Sequence, residues 1–153
     1  MARQRIEHTA VTAADPATVY ALLRDGSTWP SWAPIDSFAL ARPGADEPEG
    51  VGAIRELRSG RVTGRDEIVE LVPDRRLSYA HTSRLPVRDY RGDVVLEPVA
   101  EGTRIRWTVA FDPTFPGTGP LVRRALDGFV AKLTDGLARH AAEVAGASER
   151  RAA

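Results

Sequence analysis

The sequence predicts a single α+β domain in which a curved antiparallel sheet of seven strands wraps around a long C-terminal helix, with two short helices after the first strand. Three observations support this fold class. Residues 36–112 consist of short strand-like stretches separated by turns, as in an antiparallel meander. Residues 120–145 carry apolar side chains at helical spacing, so this helix needs an apolar surface to cover. The length of 153 residues is that of one domain with one core.

The N-terminal segment predicts the first strand and both short helices. Residues 5–12 alternate between polar and apolar side chains, which predicts a strand with one face toward a core. Asp15 and Pro16 are typical of a helix start, because aspartate caps free backbone amides and proline fits the first turn. This helix is expected to end near Arg24. The prolines in residues 29–34 limit that stretch to one helical turn or a packed loop.

Short turns separate the remaining predicted strands. Ser59 and Gly60 are expected to form a tight hairpin turn, and residues 43–50, rich in proline, glycine and acids, a mobile loop. Links this short make successive strands antiparallel neighbours. The strands are predicted at residues 37–41, 51–58, 61–72, 76–83, 89–99 and 103–111.

Alternation along the strands assigns an inward face to each. The last strand carries four large apolar side chains on one face, which is therefore expected to point inward. The same rule nominates inward residues in three other strands, leaves Ser78 on the opposite face, and makes Gly92 a candidate bulge. The inward set comprises Ile105, Trp107, Val109 and Phe111; Leu77, Tyr79, His81 and Ser83; Val51, Ala53, Arg55 and Leu57; and Tyr90, Val94 and Leu96.

The C-terminal helix has one broad apolar stripe, and two unusual residues lie within it. Gly136 either leaves room beneath the helix or allows close contact between the helix and the sheet. For His140, a partly exposed imidazole near the helix C-terminus is favoured over a ligand contact. Residues 147–153 are expected to be a frayed tail. The stripe comprises Leu121, Ala125, Phe129, Leu133, Leu137 and Ala141.

Composition excludes several classes of function. Twenty-one basic residues balance 21 acidic ones, so no field of one sign draws in nucleic acid or an acidic membrane. The absence of cysteine excludes disulfides, thiolate nucleophiles and sulfur-ligated zinc. Neither a signal peptide nor a stretch of about 20 apolar residues is visible, so we expect a soluble cytoplasmic protein without membrane insertion.

No motif for metal, cofactor or nucleophilic chemistry is present. The three histidines, His8, His81 and His140, fall in different predicted elements without ligand spacing, so neither a metal site nor a cofactor is expected. No Gly-x-Ser-x-Gly elbow occurs, and Ser83 near His81 is a spacing expected by chance. Residues 117–119 lack the lysine and the preceding parallel strand of a phosphate-binding loop.

The order of the predicted elements resembles a known superfamily over residues 3–146. The local marks are residues 15–20 at the first helix, 29–34 with two tryptophans, 51–52, 102–107 in the last strand, and the terminal helix. Together they resemble the START-like superfamily, also called SRPBCC, and most closely its bacterial polyketide cyclase/dehydrase and lipid-transport group. The resemblance implies a helix-grip fold, as in birch-pollen-allergen-like proteins, with a cavity between helix and sheet. It implies no single chemistry, because the group includes carriers, cyclases and hydrolases.

The inward faces and the helix stripe nominate residues around such a cavity. The first hypothesis is that they bind a small hydrophobic molecule, whether lipid, polyketide-like or aromatic, with Arg55 fixing a polar end. The proposed ligand-binding residues are Trp32, Arg55, Tyr79, His81, Tyr90, Trp107, Phe129, Leu133, Gly136 and Leu137.

Two alternatives remain at the level of the sequence. A polyketide aromatase/cyclase or dehydratase would use Arg55 and Tyr79 to polarise a carbonyl and His81 as base. A non-enzymatic interaction module would instead have a collapsed cavity and use a sheet edge or residues 43–50 to meet a protein. For each nominated residue, an ordinary place in the core is the competing interpretation. The chain is expected to be a monomer or a homodimer.

Overall fold

The computed structural model describes residues 3–82 and 86–152, and over these it contains one antiparallel sheet and three α-helices. The strands are β1 (Gln4–Thr12), β2 (Ser37–Arg42), β3 (Ile54–Ser59), β4 (Val62–Val72), β5 (Arg76–His81), β6 (Val87–Val99) and β7 (Gly102–Pro113). The helices are α1 (Pro16–Arg24), α2 (Trp29–Trp32) and α3 (Gly119–Ala152), with a 3₁₀ turn at Gly26–Thr28. The strand order is β1-β7-β6-β5-β4-β3-β2. The predicted helix-grip fold is confirmed.

Local signals fix the ends of these elements. The Asp15 side chain accepts a hydrogen bond from the Thr18 amide at 2.8 Å, and Pro16 occupies the first turn of α1. Gly60, at φ 60°, forms the turn between β3 and β4. Strands β2 to β7 are antiparallel neighbours in chain order, with the loop of residues 43–53 between β2 and β3, and β1 pairs with β7 to extend the sheet. Helix α3 lies against β1, β7 and the two short helices.

The inward face predicted for the last strand is confirmed. Its four apolar side chains are fully buried, and Leu77, Val94 and Leu96 join them in the core. Gly92 is not a bulge: it pairs regularly with Tyr79, while the register shift lies between Arg88 and Arg91. A Cβ at Gly92 would overlap the Tyr79 ring, so the absence of a side chain at this position leaves the space that the ring occupies.

Several expectations fail locally. Strand β3 begins at Ile54, because Gly52 at φ 91° forms a turn that leaves Val51 exposed. Ser78, assigned to the face opposite Tyr79, is nevertheless fully buried and donates a hydrogen bond to Asp93. Ser83 and most of the turn predicted at residues 84–86 lie outside the described residues.

Helix α3 extends beyond its predicted end and is helical to Ala152, where a frayed tail was expected. His140 is therefore well inside the helix, partly buried, with Nδ1 3.7 Å from Glu143 Oε2. Within residues 3–82 and 86–152, no helix is long and apolar enough to cross a membrane.

Candidate ligand cavity

A cavity of about 200 Å³ lies between the inner surface of β3–β6 and the first half of α3. Its wall is mostly aromatic and aliphatic, with one histidine and one aspartate. The lining residues are Trp29, Ile35, Leu57, Ser59, Val62, Gly64, Asp66, Tyr79, His81, Tyr90, Leu126, Phe129 and Leu133. The predicted space beneath the helix is therefore present, under one half of it.

Five residues nominated from the sequence line this cavity. Tyr79 and His81 enter from β5 and Tyr90 from β6, as strand alternation placed them. Phe129 and Leu133, one helical turn apart, cover it from α3.

Three nominated apolar residues do not line the cavity, because they fill the core beside it. Trp32 packs with its ring centroid 4.7 Å from that of Trp29. Trp107 is fully buried, and its Nε1 donates a hydrogen bond to the Tyr79 hydroxyl at 3.0 Å. Leu137 is also fully buried. Trp107 and Leu137 lie on the faces expected from strand alternation and from the helix stripe, but other side chains occupy the space around them.

Gly136 is a packing residue and not part of the cavity. A Cβ at this position would overlap the backbone carbonyl of Trp32, so the glycine allows α2 to approach α3 closely. Of the two interpretations of this glycine, close contact is correct, although the partner is a helix and not the sheet.

Arg55 points inward as predicted, yet it does not reach the cavity. Its side chain is only 3% exposed, and its guanidinium donates hydrogen bonds to the carbonyl oxygens of Leu23 and Arg24 at the end of α1. Its Nη2 is also 3.1 Å from Glu49 Oε1, and its Cζ lies 5.7 Å from the centroid of the Trp29 ring. Burial lowers the Arg55 pKa to about 10, while Glu49 opposes that shift.

Hydrogen bonds join the loop of residues 43–50 to the segment that ends α1, next to Arg55. Glu49 accepts a hydrogen bond from the Gly26 amide at 2.8 Å, and Arg24 bonds the Glu49 backbone and the Glu47 carboxylate. The Nε of Arg55 is buried without a hydrogen-bond partner among the described residues. Arg55 lines a second cavity of about 10 Å³ together with Asp66 and Tyr79, a volume at the lower limit for one water molecule.

The polar group of the main cavity is a pair that the sequence analysis recognised only in part. His81 and Asp66 are directly opposite on β5 and β4, and His81 Nδ1 lies 3.0 Å from Asp66 Oδ1. Their side chains are 8% and 17% exposed. The available signal was alternation in β4, which places Asp66 on the same face as the buried Ile68. Trp29 was missed because a proline-rich stretch gives no periodicity to assign its face.

The phenols beside this pair remain protonated well into the alkaline range. Burial raises the pKa of Tyr79 well above its ordinary value, and Tyr90 and Asp66 add to the effect. Burial and then Asp66 likewise raise the pKa of Tyr90. Tyr90 lies against His81, with 5.4 Å between ring centroids. The cavity wall thus presents neutral phenols next to a carboxylate and an imidazole.

The other histidines take no part in the cavity. His8 Nε2 lies 3.0 Å from Asp127 Oδ1 where β1 meets α3. Over the described ranges, no three His, Cys, Asp or Glu side chains are grouped as metal ligands.

Comparison with known families decides where the chain belongs. The model of the family described as polyketide cyclase/dehydrase and lipid transport matches residues 3–142. The chain belongs to this family. The resemblance inferred from the sequence is therefore confirmed, and membership implies binding of a hydrophobic ligand.

Individual proteins and solved structures are similar to this chain over most of its length. The granaticin polyketide synthase bifunctional cyclase/dehydratase of Streptomyces violaceoruber is 35% identical over 135 residues, 80% of this chain, which spans only 39% of that protein's length. An uncharacterized protein of Mycobacterium bovis is 28% identical to this chain over 137 residues, which are 82% of this chain and 80% of the mycobacterial protein. A START superfamily protein from Mycobacterium smegmatis has the same fold, with a TM-score of 0.77 at 14% identity, covering 92% of this chain and 98% of that one.

Proposed function

We propose that the protein binds a small, largely apolar molecule in the cavity between β3–β6 and α3. The observation that carries this proposal is a space of about 200 Å³ with an apolar wall and one convergent polar pair, Asp66 and His81. Such a site gains affinity from apolar burial and orientation from a few hydrogen bonds.

The volume sets the size of the ligand. It exceeds the roughly 150 Å³ of an apolar cavity that takes up benzene, and is below the roughly 300–1,000 Å³ typical of sites for drug-sized molecules. A molecule of one or two rings, or an acyl chain of similar bulk, fits this range. The aromatic side chains Trp29, Tyr90 and Phe129 favour a planar ring as partner.

Calorimetric titration with naphthalene, an apolar two-ring probe, tests the proposal. Leu133 is 2% exposed in the cavity wall, so Leu133→Trp should fill the space and reduce binding at least ten-fold. Leu121→Trp on the same helix is the control, because Leu121 is 73% exposed and lies outside the cavity. Thermal unfolding checks that both variants fold. Wild-type protein that takes up no probe would refute the proposal.

A second candidate is acid–base catalysis on a bound β-hydroxy or β-keto compound. It is favoured by the Asp66–His81 pair in the cavity wall, where the carboxylate orients the imidazole. Of the three catalytic residues expected from the sequence, His81 and Tyr79 line the cavity and remain candidates. The guanidinium of Arg55 is bonded to the end of α1 and does not line it. In a dehydration, the imidazole would take the proton next to the carbonyl as the C–O bond of the β-hydroxyl group breaks, and the imidazolium so formed would give that proton to the leaving oxygen, which departs as water.

Turnover of a β-hydroxy thioester, followed by the absorbance of the conjugated product, tests this candidate. His81→Ala should abolish turnover, and His8→Ala is the control on a histidine that does not line the cavity. Turnover that survives in His81→Ala would exclude the catalytic role. The third hypothesis, an interaction module with a collapsed cavity, gains no support from a cavity of this size.

A further inference from the structure

We infer that this cavity selects uncharged ligands that carry a hydroxyl group or a similar hydrogen-bond donor, and discriminates against carboxylates of the same size, with Asp66 as the residue that determines this preference. The inference rests on the proposed ligand binding at the same cavity.

The charges around the cavity give the first argument. Among the described residues that line it, Asp66 is an acid and none is an arginine or a lysine. Asp66 pairs with His81, and the pair carries a net charge of minus one when the imidazole is neutral and zero when it is protonated. In neither state does the wall offer the net positive charge that would offset the desolvation of a bound carboxylate.

Arg55 is a buried cation, but its contacts hold the guanidinium outside the main cavity. Its two terminal nitrogens bond the Leu23 and Arg24 carbonyl groups and the Glu49 carboxylate. Arg55 lines the small second cavity and not the main one. The guanidinium that was expected to fix the polar end of a ligand therefore does not reach this cavity, and it gives a bound carboxylate no cationic partner there.

Hydrogen-bonding capacity gives the second argument. A carboxylate accepts about four hydrogen bonds, and the bond to His81 Nδ1 uses one of these positions on Asp66. A ligand hydroxyl that donates to this carboxylate forms a charge-assisted bond, which is stronger than a bond between neutral groups. A ligand carboxylate would instead place a second negative charge beside Asp66, where the low dielectric strengthens repulsion.

Three probes of similar size separate these effects by calorimetric titration at neutral pH: naphthalene, naphthol and naphthoate. We expect naphthol to bind at least ten-fold more tightly than naphthoate, and more tightly than naphthalene. Asp66→Asn keeps the size of the side chain and removes its charge. It should therefore lower the ratio of the affinity for naphthol to the affinity for naphthoate at least ten-fold. The control is Glu67→Gln, which makes the same change on the next residue of β4, where Glu67 pairs with Arg42 on the outer face.

The outcomes distinguish this inference from the proposed function. If none of the three probes binds, ligand binding at the cavity fails and this inference fails with it. If naphthalene binds and naphthoate matches naphthol, binding stands and the selectivity is overturned. An unchanged ratio in a folded Asp66→Asn protein also overturns it, because the preference would then not depend on Asp66. A ratio that falls in Asp66→Asn but not in Glu67→Gln supports it.

Discussion

The two halves of α3 cover different kinds of interior. The first half, with Leu126, Phe129 and Leu133, covers a cavity of about 200 Å³. The second half is in close contact with its neighbours: Gly136 meets the Trp32 carbonyl, and the Ala138 carbonyl accepts a hydrogen bond from Thr12. One amphipathic helix thus anchors the fold at one end and leaves room for a ligand at the other. Its apolar stripe alone does not distinguish these two roles.

The largest expected effect comes from Arg55, which is packed against the end of α1 outside the main cavity. Arg55→Met leaves the Leu23 and Arg24 carbonyl groups and the Glu49 carboxylate without their buried cation, and should lower the free energy of unfolding by about 3–5 kcal/mol. Arg58→Met is the control, because Arg58 is exposed on the same strand. Denaturant unfolding measures both. Equal stability in the two variants would contradict the structural role given to Arg55.

Two glycines of α3 give the next effect. Gly136→Ala pushes a methyl group into the Trp32 backbone and should destabilise the protein by about 1–3 kcal/mol, as overpacking does. Gly128→Ala meets nothing within 4 Å and should stabilise it by up to about 1 kcal/mol through helix propensity. Thermal unfolding compares the two. Opposite signs support close packing at Gly136, and the same sign would contradict it.

Unfolding at alkaline pH tests whether Tyr79 and Tyr90, the two tyrosines of the cavity wall, are shielded from water. Burial raises the pKa of Tyr79 and Tyr90 above the ordinary 10.0, so above pH 10 the unfolded chain loses protons that the folded protein keeps. The contribution of these two phenols to stability should be constant below that pH and fall above it, by up to about 1.4 kcal/mol per pH unit for each tyrosine. Arg55, with its lowered pKa, acts in the opposite direction, but only as one group.

Denaturant unfolding at a series of pH values, together with tyrosinate absorbance, checks this prediction. Tyr90→Phe should reduce the slope above pH 10. Ionisation of both cavity tyrosines near pH 10 in the folded protein would show that water reaches them and would contradict the burial.

The smallest effect is expected at Gly64 on the cavity wall. A Cβ there would lie at ordinary contact distance, 3.6 Å from His81 Cε1, so Gly64→Ala should change stability by no more than about 1 kcal/mol. Gly92→Ala on β6 is the matched variant, and the overlap with the Tyr79 ring should make it clearly destabilising. Thermal unfolding compares the pair. If Gly64→Ala lost as much stability as Gly92→Ala, the cavity wall at Gly64 would have no room for a methyl group, which would contradict this prediction.

Local patterns in the sequence determined the fold and the directions of most side chains. Asp15 and Pro16 set the start of α1, and alternation put Trp107, Tyr79 and His81 on the inner face. These features depend on neighbours in sequence or on the period of a strand, so a single chain reveals them.

Tertiary structure alone decided which inward side chains face the cavity. Alternation states on which side of the sheet a residue lies, but not what covers it there. Arg55 meets carbonyl groups about 30 positions away in the chain, whereas Asp66 and His81 meet across two strands beneath the helix. The former became part of the framework and the latter part of the cavity wall, because the segments packed over them differ.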